Sequence, residues 1–188
     1  MSNTHTLLAA LNPMDPTVDN NAWPDTIYAH LKRVGIRQVG YVPDAGHSRL
    51  IRRCIEDPEI TDVVLTTEEE GVGLVAGAFL GGQRSALLMQ SSGVGNCINM
   101  FSLIQNCGFP CLVLVTMRGE WEEFNPWQVP MGSITEECLR LAGFSTYRID
   151  QPDRVDEIMR IAVDRAFNDD KAIAVILSQI LIGKKDWR

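Results

Sequence analysis

The sequence predicts an α/β fold: a single domain with a mainly parallel sheet of about six strands and helices on both faces. Segments with apolar residues at helical spacing alternate along the chain with short runs of apolar, β-branched residues. This alternation is typical of βαβ units, whose strands pair in parallel and whose helices cover the sheet. A length of 188 residues suits one domain with one hydrophobic core, which we place at 23–188, after an N-terminal arm at 1–22.

Six helices and six strands are predicted in order. The helices cover 24–34, 47–56, 68–80, 94–107, 133–142 and 153–167. The strands cover 38–42, 62–66, 85–89, 111–116, 145–149 and 172–177. In the fifth helix, Ser133 and Glu136 fit a capping box at the start, and Gly143 follows the last apolar residue.

Two segments are predicted to be irregular. The arm at 1–22 is polar and contains Asn12-Pro13 and Asp15-Pro16, so we expect it to be disordered or to lie on a partner. The stretch 118–132 contains two tryptophans, two prolines and three acidic residues. A loop of that length in a compact domain is usually functional or contacts a partner.

Composition argues against several classes of protein. The net charge is −7 and the basic residues are not clustered, so we expect no nucleic-acid binding. The longest apolar run, 109–117, is too short to span a membrane, and the first residues do not resemble a secretory signal. The five cysteines include no Cys-x-x-Cys pair, so we expect no metal ligands, and reduced, buried thiols at Cys107 and Cys111. These features favour a cytoplasmic protein.

A group of acidic residues follows the second predicted strand. Glu68, Glu69 and Glu70 would begin a helix, where acidic side chains interact favourably with the helix dipole. The nearby Gly-x-Gly does not have the spacing of a dinucleotide-binding turn. The glycines of this helix, at 71, 73 and 77, each cost roughly 1 kcal/mol relative to alanine. We therefore expect another helix, a subunit or a cofactor to approach closely there.

Two further strand ends carry polar residues. The segment 90–96, Gln-Ser-Ser-Gly-Val-Gly-Asn, follows the third strand, where exposed backbone amides can bind an anion. A tight left-handed turn explains the same glycines equally well. Asp44 and His47 follow the first strand. His47 could transfer a proton, or it could be incidental.

In combination these segments resemble the pyrimidine-binding domain of thiamine-diphosphate enzymes, over about residues 24–182. They are most similar to sulfopyruvate decarboxylase alpha subunits, and next to phosphonopyruvate decarboxylases. Many relatives carry His or Asn before the family's glutamate, where this chain has Thr67. The residues that carry the resemblance are Tyr41-Val42-Pro43-Asp44, 68–74 with Ala76-Gly77, 89–96 with Asn99, Arg118-Gly119, Gln128 and Met131-Gly132.

The resemblance implies roles for particular residues. The family's glutamate stands nine positions before the glycine that closes its motif, and counting back from Gly77 gives Glu68 as the catalytic residue. Its carboxyl group would share a proton with N1′ of the aminopyrimidine ring and so activate the cofactor. The implied cofactor-binding residues are Glu68, Gly93, Asn96 and Gln90. The implied substrate-binding residues are Ser91, Ser92, Asp44, His47, Arg118 and Gln128.

The resemblance also implies a partner. Family members hold the diphosphate through Mg²⁺ with a Gly-Asp-Gly motif, which this sequence lacks. A beta subunit would supply that motif, in a heteromer with at least two alpha chains. The expected substrate is a small anionic 2-oxoacid, most favourably sulfopyruvate, which would give sulfoacetaldehyde and CO₂.

Three alternatives stay open: a phosphonopyruvate decarboxylase subunit, a carboligating thiamine-diphosphate synthase subunit and a non-catalytic partner subunit. Gln128-Val129 looks more like the sulfopyruvate pattern than the phosphonopyruvate one, in which a histidine often follows the glutamine. A sulfonate stays ionised and cannot donate a proton, so its pocket should offer only donors. A phosphonate near neutral pH carries more charge and would favour an additional cation.

Overall fold

The computed structural model describes residues 22–183, so the arm predicted for 1–22 lies outside the described residues except for its last residue. Six parallel strands form one sheet in the order β2-β1-β3-β4-β6-β5. The strands are β1 Ile36–Tyr41, β2 Thr61–Val64, β3 Arg84–Gln90, β4 Cys111–Thr116, β5 Ser145–Ile149 and β6 Ala172–Leu177. The predicted α/β class is confirmed.

Helices cover both faces of the sheet, as predicted. Helices α1, α2 and α7 share one buried core with the strands, and α3, α4, α5 and α6 share the other. The helices are α1 Trp23–Arg33, α2 Ser48–Ile55, α3 Glu68–Leu80, α4 Ser91–Cys97, α5 Phe101–Cys107, α6 Val129–Leu141, α7 Val155–Phe167 and α8 Gln179–Ile182.

The central strands explain why the sheet needs both layers. Every residue of β4 and β6 is buried. Side chains alternate between the faces, so Leu112 and Leu114 enter one core while Val113 and Val115 enter the other. Each fully buried aliphatic side chain of this kind stabilises the fold by about 1.5–3 kcal/mol through removal from water. A strand of this composition is stable only between two helical layers.

The topology creates a crevice between β1 and β3. The chain leaves β1 toward α2 on one face and leaves β3 toward α4 on the opposite face. At such a reversal the connections diverge and leave a gap at the carboxyl ends of the strands, where ligands bind in open α/β sheets. The end of β2, which leads into α3, lies beside β1.

Several local predictions were wrong. Helix α6 begins at Val129, so Ser133 lies inside it, and its hydroxyl donates to the carbonyl of Pro130 (2.8 Å) instead of capping the helix. Glu136 accepts from Arg140 one turn later (2.5 Å), as an exposed helical pair does. Gly143 does follow the helix, with φ +87° in the left-handed region.

The predicted helix 94–107 consists of two helices, α4 and α5, separated at 98–100. The irregular stretch is shorter than predicted, because a 3₁₀ turn at Pro126–Gln128 leads directly into α6. All five cysteines are free thiols; Cys111 is buried as expected, whereas Cys107 is exposed.

Candidate active site

The three acidic residues at the start of α3 have different environments. Glu68 is 8% exposed, whereas Glu69 and Glu70 are exposed to solvent. Glu70 turns back and its Oε2 accepts from the backbone N–H of Thr66 (2.8 Å). Helix α3 begins directly after β2 and an extended Thr67, so the Glu68 carboxyl group lies at the carboxyl edge of the sheet. The spacing argument and the geometry therefore single out the same acid.

Glu68 packs against the backbone of α4. A β carbon added at Gly93 would lie 2.5 Å from Cγ, 2.6 Å from Cδ and 2.6 Å from Oε1 of Glu68. Only glycine leaves this space to the glutamate. One turn later, Nδ2 of Asn96 donates a hydrogen bond to Oε2 of Glu68 (2.9 Å). Two residues predicted to bind the cofactor thus hold the predicted catalytic carboxyl group in place.

This contact corrects the interpretation of the segment 90–96. Helix α4 begins at Ser91, immediately after β3, and Gly93 does not have a positive φ. The segment is therefore neither a left-handed turn nor an open loop of amides. Glycine is required at position 93 because the Glu68 side chain occupies the space that a β carbon there would need.

Asp44 joins the ends of three strands. Its Oδ1 accepts from Nε2 of Gln90, at the end of β3 (3.1 Å), and its Oδ2 accepts from Oγ1 of Thr116, at the end of β4 (2.7 Å). The same Oδ2 accepts from the backbone N–H of Gly46 (3.0 Å) and caps the short 3₁₀ turn before α2. Asp44 thereby links the segment after β1 to the ends of β3 and β4, at the crevice between β1 and β3.

Gln90 extends this network toward the loop. Because its Nε2 donates to Asp44, its Oε1 faces the other way and accepts from the hydroxyl of Ser92 (2.9 Å) and from Nε2 of Gln128 (3.3 Å). The structure therefore brings together four of the residues predicted to bind cofactor or substrate. They come from the segments after β1 and β3 and from the loop that precedes α6.

His47 does not face the crevice as a substrate-binding residue would. It is 1% exposed, and its Nε2 lies 3.3 Å from the carbonyl oxygen of Met89 and 3.1 Å from that of Leu114. Burial lowers the pKa of His47. Because both neighbours of Nε2 are carbonyl oxygens, Nε2 carries the hydrogen and donates to both strands. The imidazole links β3 to β4 beneath the site, and this geometry gives no support to a contact with substrate, which stays a prediction.

Ser91 and Arg118 also make contacts other than those predicted. The Ser91 hydroxyl is fully buried and accepts from the backbone N–H of Arg118 (3.1 Å). The guanidinium group of Arg118 donates from Nε and Nη2 to the two carboxyl oxygens of Glu123 (2.7 and 2.5 Å) and lies 5.2 Å from the ring centroid of Phe124. The guanidinium group of Arg118 is thus hydrogen-bonded within its own loop. This pairing does not support the prediction that Arg118 binds the substrate directly.

Glu123 is an important residue that sequence reasoning missed. Its carboxyl group accepts two hydrogen bonds from Arg118 and one each from Gly119 N, Asn125 N and Gln179 Nε2. The hydrogen bonds from Arg118 lower the pKa of Glu123 to about 2. No spacing rule pairs two residues within an irregular loop, so the sequence offers no signal for Glu123 beyond the length of the loop and its acidic residues.

The far side of the loop is tied to α8. Oε1 of Gln179 accepts from the backbone N–H groups of Glu120 and Trp121 (2.9 and 3.0 Å). At the base of the loop, a β carbon at Gly119 would lie 2.3 Å from the Gln128 carbonyl oxygen, and Gly119 has φ +78°. The two ends of the loop are therefore in contact at Gly119 and Gln128, and Glu123 binds its middle through hydrogen bonds.

The glycines of α3 fall into two groups. A β carbon at Gly71 would lie 2.2 Å from Cδ1 of Leu87, so this glycine permits close packing of α3 on β3. Gly73 and Gly77 meet nothing within 4 Å and are exposed. The close approach expected at these glycines is thus found at Gly71, where α3 packs on β3. At Gly73 and Gly77 the face of the helix is exposed.

Residues 22–183 contain neither a cluster of metal-ligating side chains nor a membrane-spanning helix. No group of three or more His, Cys, Asp or Glu side chains is arranged to hold a metal ion. Within the same residues, no helix is both long and apolar enough to cross a membrane.

Comparison with solved structures shows the same fold in another protein. The chain superposes on 2-oxoglutarate:ferredoxin oxidoreductase from Magnetococcus marinus with a TM-score of 0.66 over 85% of this chain and 29% of that one. Sequence identity is 12%, so the likeness concerns the fold. This chain therefore shares the fold of a domain of a 2-oxoacid oxidoreductase, and it carries a buried glutamate at the carboxyl edge of its parallel sheet.

Comparison with curated proteins gives the family. Sulfopyruvate decarboxylase subunit alpha of Methanocaldococcus jannaschii is 33% identical over 82% of this chain and 92% of its own length. The corresponding subunit of Methanothermobacter thermautotrophicus is 35% identical over 81% of this chain and 93% of its own length. The chain belongs to the family of sulfopyruvate decarboxylase alpha subunits, as the sequence motifs predicted. No model of a protein family matches the chain.

Proposed function

We propose that this chain is the alpha subunit of a thiamine-diphosphate-dependent decarboxylase that converts sulfopyruvate to sulfoacetaldehyde and CO₂, with Glu68 as its catalytic residue. The observation that carries the proposal is the buried Glu68 carboxyl group, which lies against Gly93 and accepts from Asn96 at the carboxyl edge of the sheet. Membership of the sulfopyruvate decarboxylase alpha family supports the choice of reaction.

The surroundings of Glu68 suit an aminopyrimidine ring. Asn96 occupies Oε2, and within residues 22–183 the other oxygen, Oε1, accepts no hydrogen bond. That oxygen can share a proton with a ring nitrogen, and we assign Glu68 to hold the proton at N1′. Asn96 and Gly93 orient the carboxyl group, and Gln90 borders the ring. When bound, thiamine diphosphate supplies the electron sink for the breaking carbon–carbon bond.

The substrate would lie beside the Asp44–Gln90 network. Ser92 and Gln128 both donate to Gln90 in this structure, and the amide nitrogen of Gln128 carries a second hydrogen for another acceptor. We propose that Gln128 offers its second amide hydrogen to the anionic group of the substrate, that the single hydrogen of the Ser92 hydroxyl turns from Gln90 to the same group, and that Asp44 fixes the orientation of Gln90. Donors without a formal charge suit a sulfonate, which accepts hydrogen bonds and donates none.

The remainder of the cofactor site requires another polypeptide segment. The sequence contains no Gly-Asp-Gly motif, and we propose that a beta subunit brings it together with Mg²⁺. A sulfopyruvate decarboxylase of Methanosarcina acetivorans supports this arrangement, because the similarity covers 80% of this chain and only 38% of that longer protein. We further propose a heteromer with at least two alpha chains that acts in the cytoplasm.

Phosphonopyruvate is the second candidate substrate. A phosphonopyruvate decarboxylase of Streptomyces viridochromogenes is 35% identical over 70% of this chain, which spans 33% of that protein. Both substrates carry a tetrahedral anion beyond the same 2-oxoacid group, so the same edge of the sheet could receive either. The sulfonate and the phosphonate differ in charge, so a comparison of their kcat/KM values distinguishes the two substrates.

The test is reconstitution. The chain is purified alone and with a Gly-Asp-Gly-containing beta subunit, and each preparation is supplied with thiamine diphosphate and Mg²⁺. Sulfopyruvate, phosphonopyruvate and pyruvate are then compared by CO₂ release. We expect decarboxylation only by the complex, with the highest kcat/KM for sulfopyruvate. Robust turnover by the isolated chain would contradict the shared site, and a preference for another 2-oxoacid would contradict the substrate.

A further inference from the structure

The loop 118–128 contributes an arginine to the edge of the candidate site, but that arginine is paired. The side chains of Arg118 and Glu123 are 9% and 3% exposed, and two hydrogen bonds join them. Buried, bidentate pairs of this kind are held in a fixed geometry, and their charges largely cancel at a distance. The second guanidinium group that contacts the loop, on Arg148, is likewise paired with Glu120 (2.8 Å).

The Arg118 pair adjoins the residues proposed to receive the substrate. Arg118 and Asp44 line the same small cavity, and the backbone N–H of Arg118 donates to Ser91, the first residue of α4. The remaining side chains of the network, Gln90, Ser92 and Gln128, are uncharged. Asp44 adds a carboxylate to the same cavity, so the described part of the edge offers hydrogen-bond donors but no net positive charge.

We propose that Glu123 is a positioning residue that determines substrate specificity through Arg118. By neutralising the guanidinium group, Glu123 suits the edge to a substrate with a monoanionic sulfonate and disfavours a dianionic phosphonate. The inference rests on the proposed function, and it assigns to Glu123 a role beyond holding the loop. A phosphonate gains more than a sulfonate from each added positive charge, because the Coulomb energy scales with the charge of the ligand.

Further hydrogen bonds to Glu123 keep it paired with Arg118. Gln179 and two backbone N–H groups complete the hydrogen bonding of Glu123, so the carboxylate would leave several donors unpaired if it moved. Arg118 therefore cannot turn toward a bound anion without breaking that set. Replacing Glu123 by glutamine keeps the shape and one of the two acceptor oxygens while removing the charge that neutralises Arg118.

The experiment compares Glu123→Gln with three other variants in the reconstituted complex above pH 7.5, where the phosphonate is dianionic. Glu123→Gln should lower the ratio of kcat/KM for sulfopyruvate to that for phosphonopyruvate by about tenfold, as expected for one unit charge acting through an effective dielectric constant of about 20. The double variant Arg118→Gln with Glu123→Gln should restore the ratio, because it removes both charges. Glu120→Gln is the matched control and should leave the ratio unchanged, because Arg148 keeps Asp150.

Damage to folding cannot produce this pattern, because it lowers both rates and leaves their ratio constant. If Glu123→Gln does not fold, Arg118→Gln supplies the same test with the opposite sign, since it exposes a negative charge and should raise the ratio. An unchanged ratio in a folded variant would overturn the proposal.

A binding measurement separates this proposal from the proposed function. Methanesulfonate and methylphosphonate are titrated calorimetrically into the full chain and into its Glu123→Gln variant. The variant should gain affinity for methylphosphonate relative to methanesulfonate by about tenfold. Absence of that gain overturns the inference, whereas a wild-type complex that decarboxylates no 2-oxoacid refutes only the proposed function.

Discussion

Two glutamates lie near the carboxyl edge of the sheet, and their surroundings differ. Glu123, in the loop before α6, accepts five hydrogen bonds, two of them from a guanidinium group. Glu68, at the start of α3, accepts one from the neutral amide of Asn96 and lies against the bare backbone of Gly93. Both carboxyl groups are largely removed from water, yet only one has its acceptor capacity filled.

The difference shows how a structural acid can be told from a reactive one. A carboxylate surrounded by donors is strongly held as an anion, which fits the pKa of about 2 for Glu123. Such a group orders its loop but is a poor proton carrier near neutral pH. Glu68 keeps an oxygen available at an edge that ligands can reach.

The largest effect is expected for Glu68→Gln. The amide keeps the shape but cannot share a proton with the pyrimidine, so kcat should fall by roughly a thousandfold, within the range for loss of a general acid–base group. Steady-state kinetics of the reconstituted complex measure this, and circular dichroism should show an unchanged fold. Glu69→Gln and Glu70→Gln are the matched controls and should each cost less than about threefold. Equal losses at all three positions would refute the assignment.

The next largest effect is expected for Gly93→Ala. The new methyl group would overlap the Glu68 carboxyl group, so the glutamate must shift, and a displacement of about 1 Å can cost on the order of a hundredfold in rate. Gly95→Ala is a suitable control in the same helix, because its methyl group would meet the flexible Sδ of Met131 at 3.1 Å. Turnover by Gly95→Ala should fall much less. Wild-type activity in Gly93→Ala would mean that the contact is not functional.

The third prediction concerns the stability of the structural acid. Because the pKa of Glu123 is lowered to about 2 from an ordinary value of 4.5, its ionised form stabilises the fold. That stabilisation is complete above about pH 4.5 and decreases as the pH falls toward 2. Glu123→Gln should therefore lower the free energy of unfolding by about 2–3 kcal/mol at pH 7.

Urea unfolding of both proteins at several pH values measures this difference. We expect it to be constant from pH 8 to pH 5 and to shrink below pH 4.5. A difference that grew on acidification would contradict the sign of the shift. Glu69→Gln, at an exposed position, should show little difference at any pH.

The smallest effect is expected for Asn96→Ala. It removes the one donor to Oε2 of Glu68, and hydrogen bonds at exposed sites contribute about 1 kcal/mol, so kcat/KM should fall by roughly fivefold. Asn99→Ala, on the exposed turn before α5, should leave kcat/KM unchanged within about twofold. If both variants behave alike, Asn96 does not orient Glu68.

Much of the fold was predictable because regular elements follow local patterns. The spacing of apolar residues predicted α3 at 68–80, and the apolar runs predicted β4, β5 and β6 with the observed ends. Element ends failed where packing decides them. Ser133 and Glu136 have the spacing of a capping box, yet α6 begins four residues earlier, after a 3₁₀ turn that contains a proline.

The residues of the candidate site likewise include some that local spacing selects and others whose contacts depend on distant segments. Counting back from Gly77 selects Glu68, because a motif along one helix is a local property of the chain, and its catalytic role stays a prediction. His47 and Arg118 were expected at the substrate because their chemistry suits it, but what they contact depends on distant segments. His47 meets two strand carbonyls beneath the site. Arg118 meets a glutamate five residues away in a loop without regular spacing.

The sequence by itself therefore determined the class of fold, the order of its elements and the position of the acid at the start of α3. Those properties follow from side-chain periodicity and from spacing within one helix. Only the tertiary structure decided that Gly93 makes room for Glu68, that Asp44 joins three strand ends and that Glu123 neutralises Arg118. Such contacts join residues far apart in the chain or within an irregular loop, where hydrogen-bond geometry and burial, not sequence spacing, select the partner.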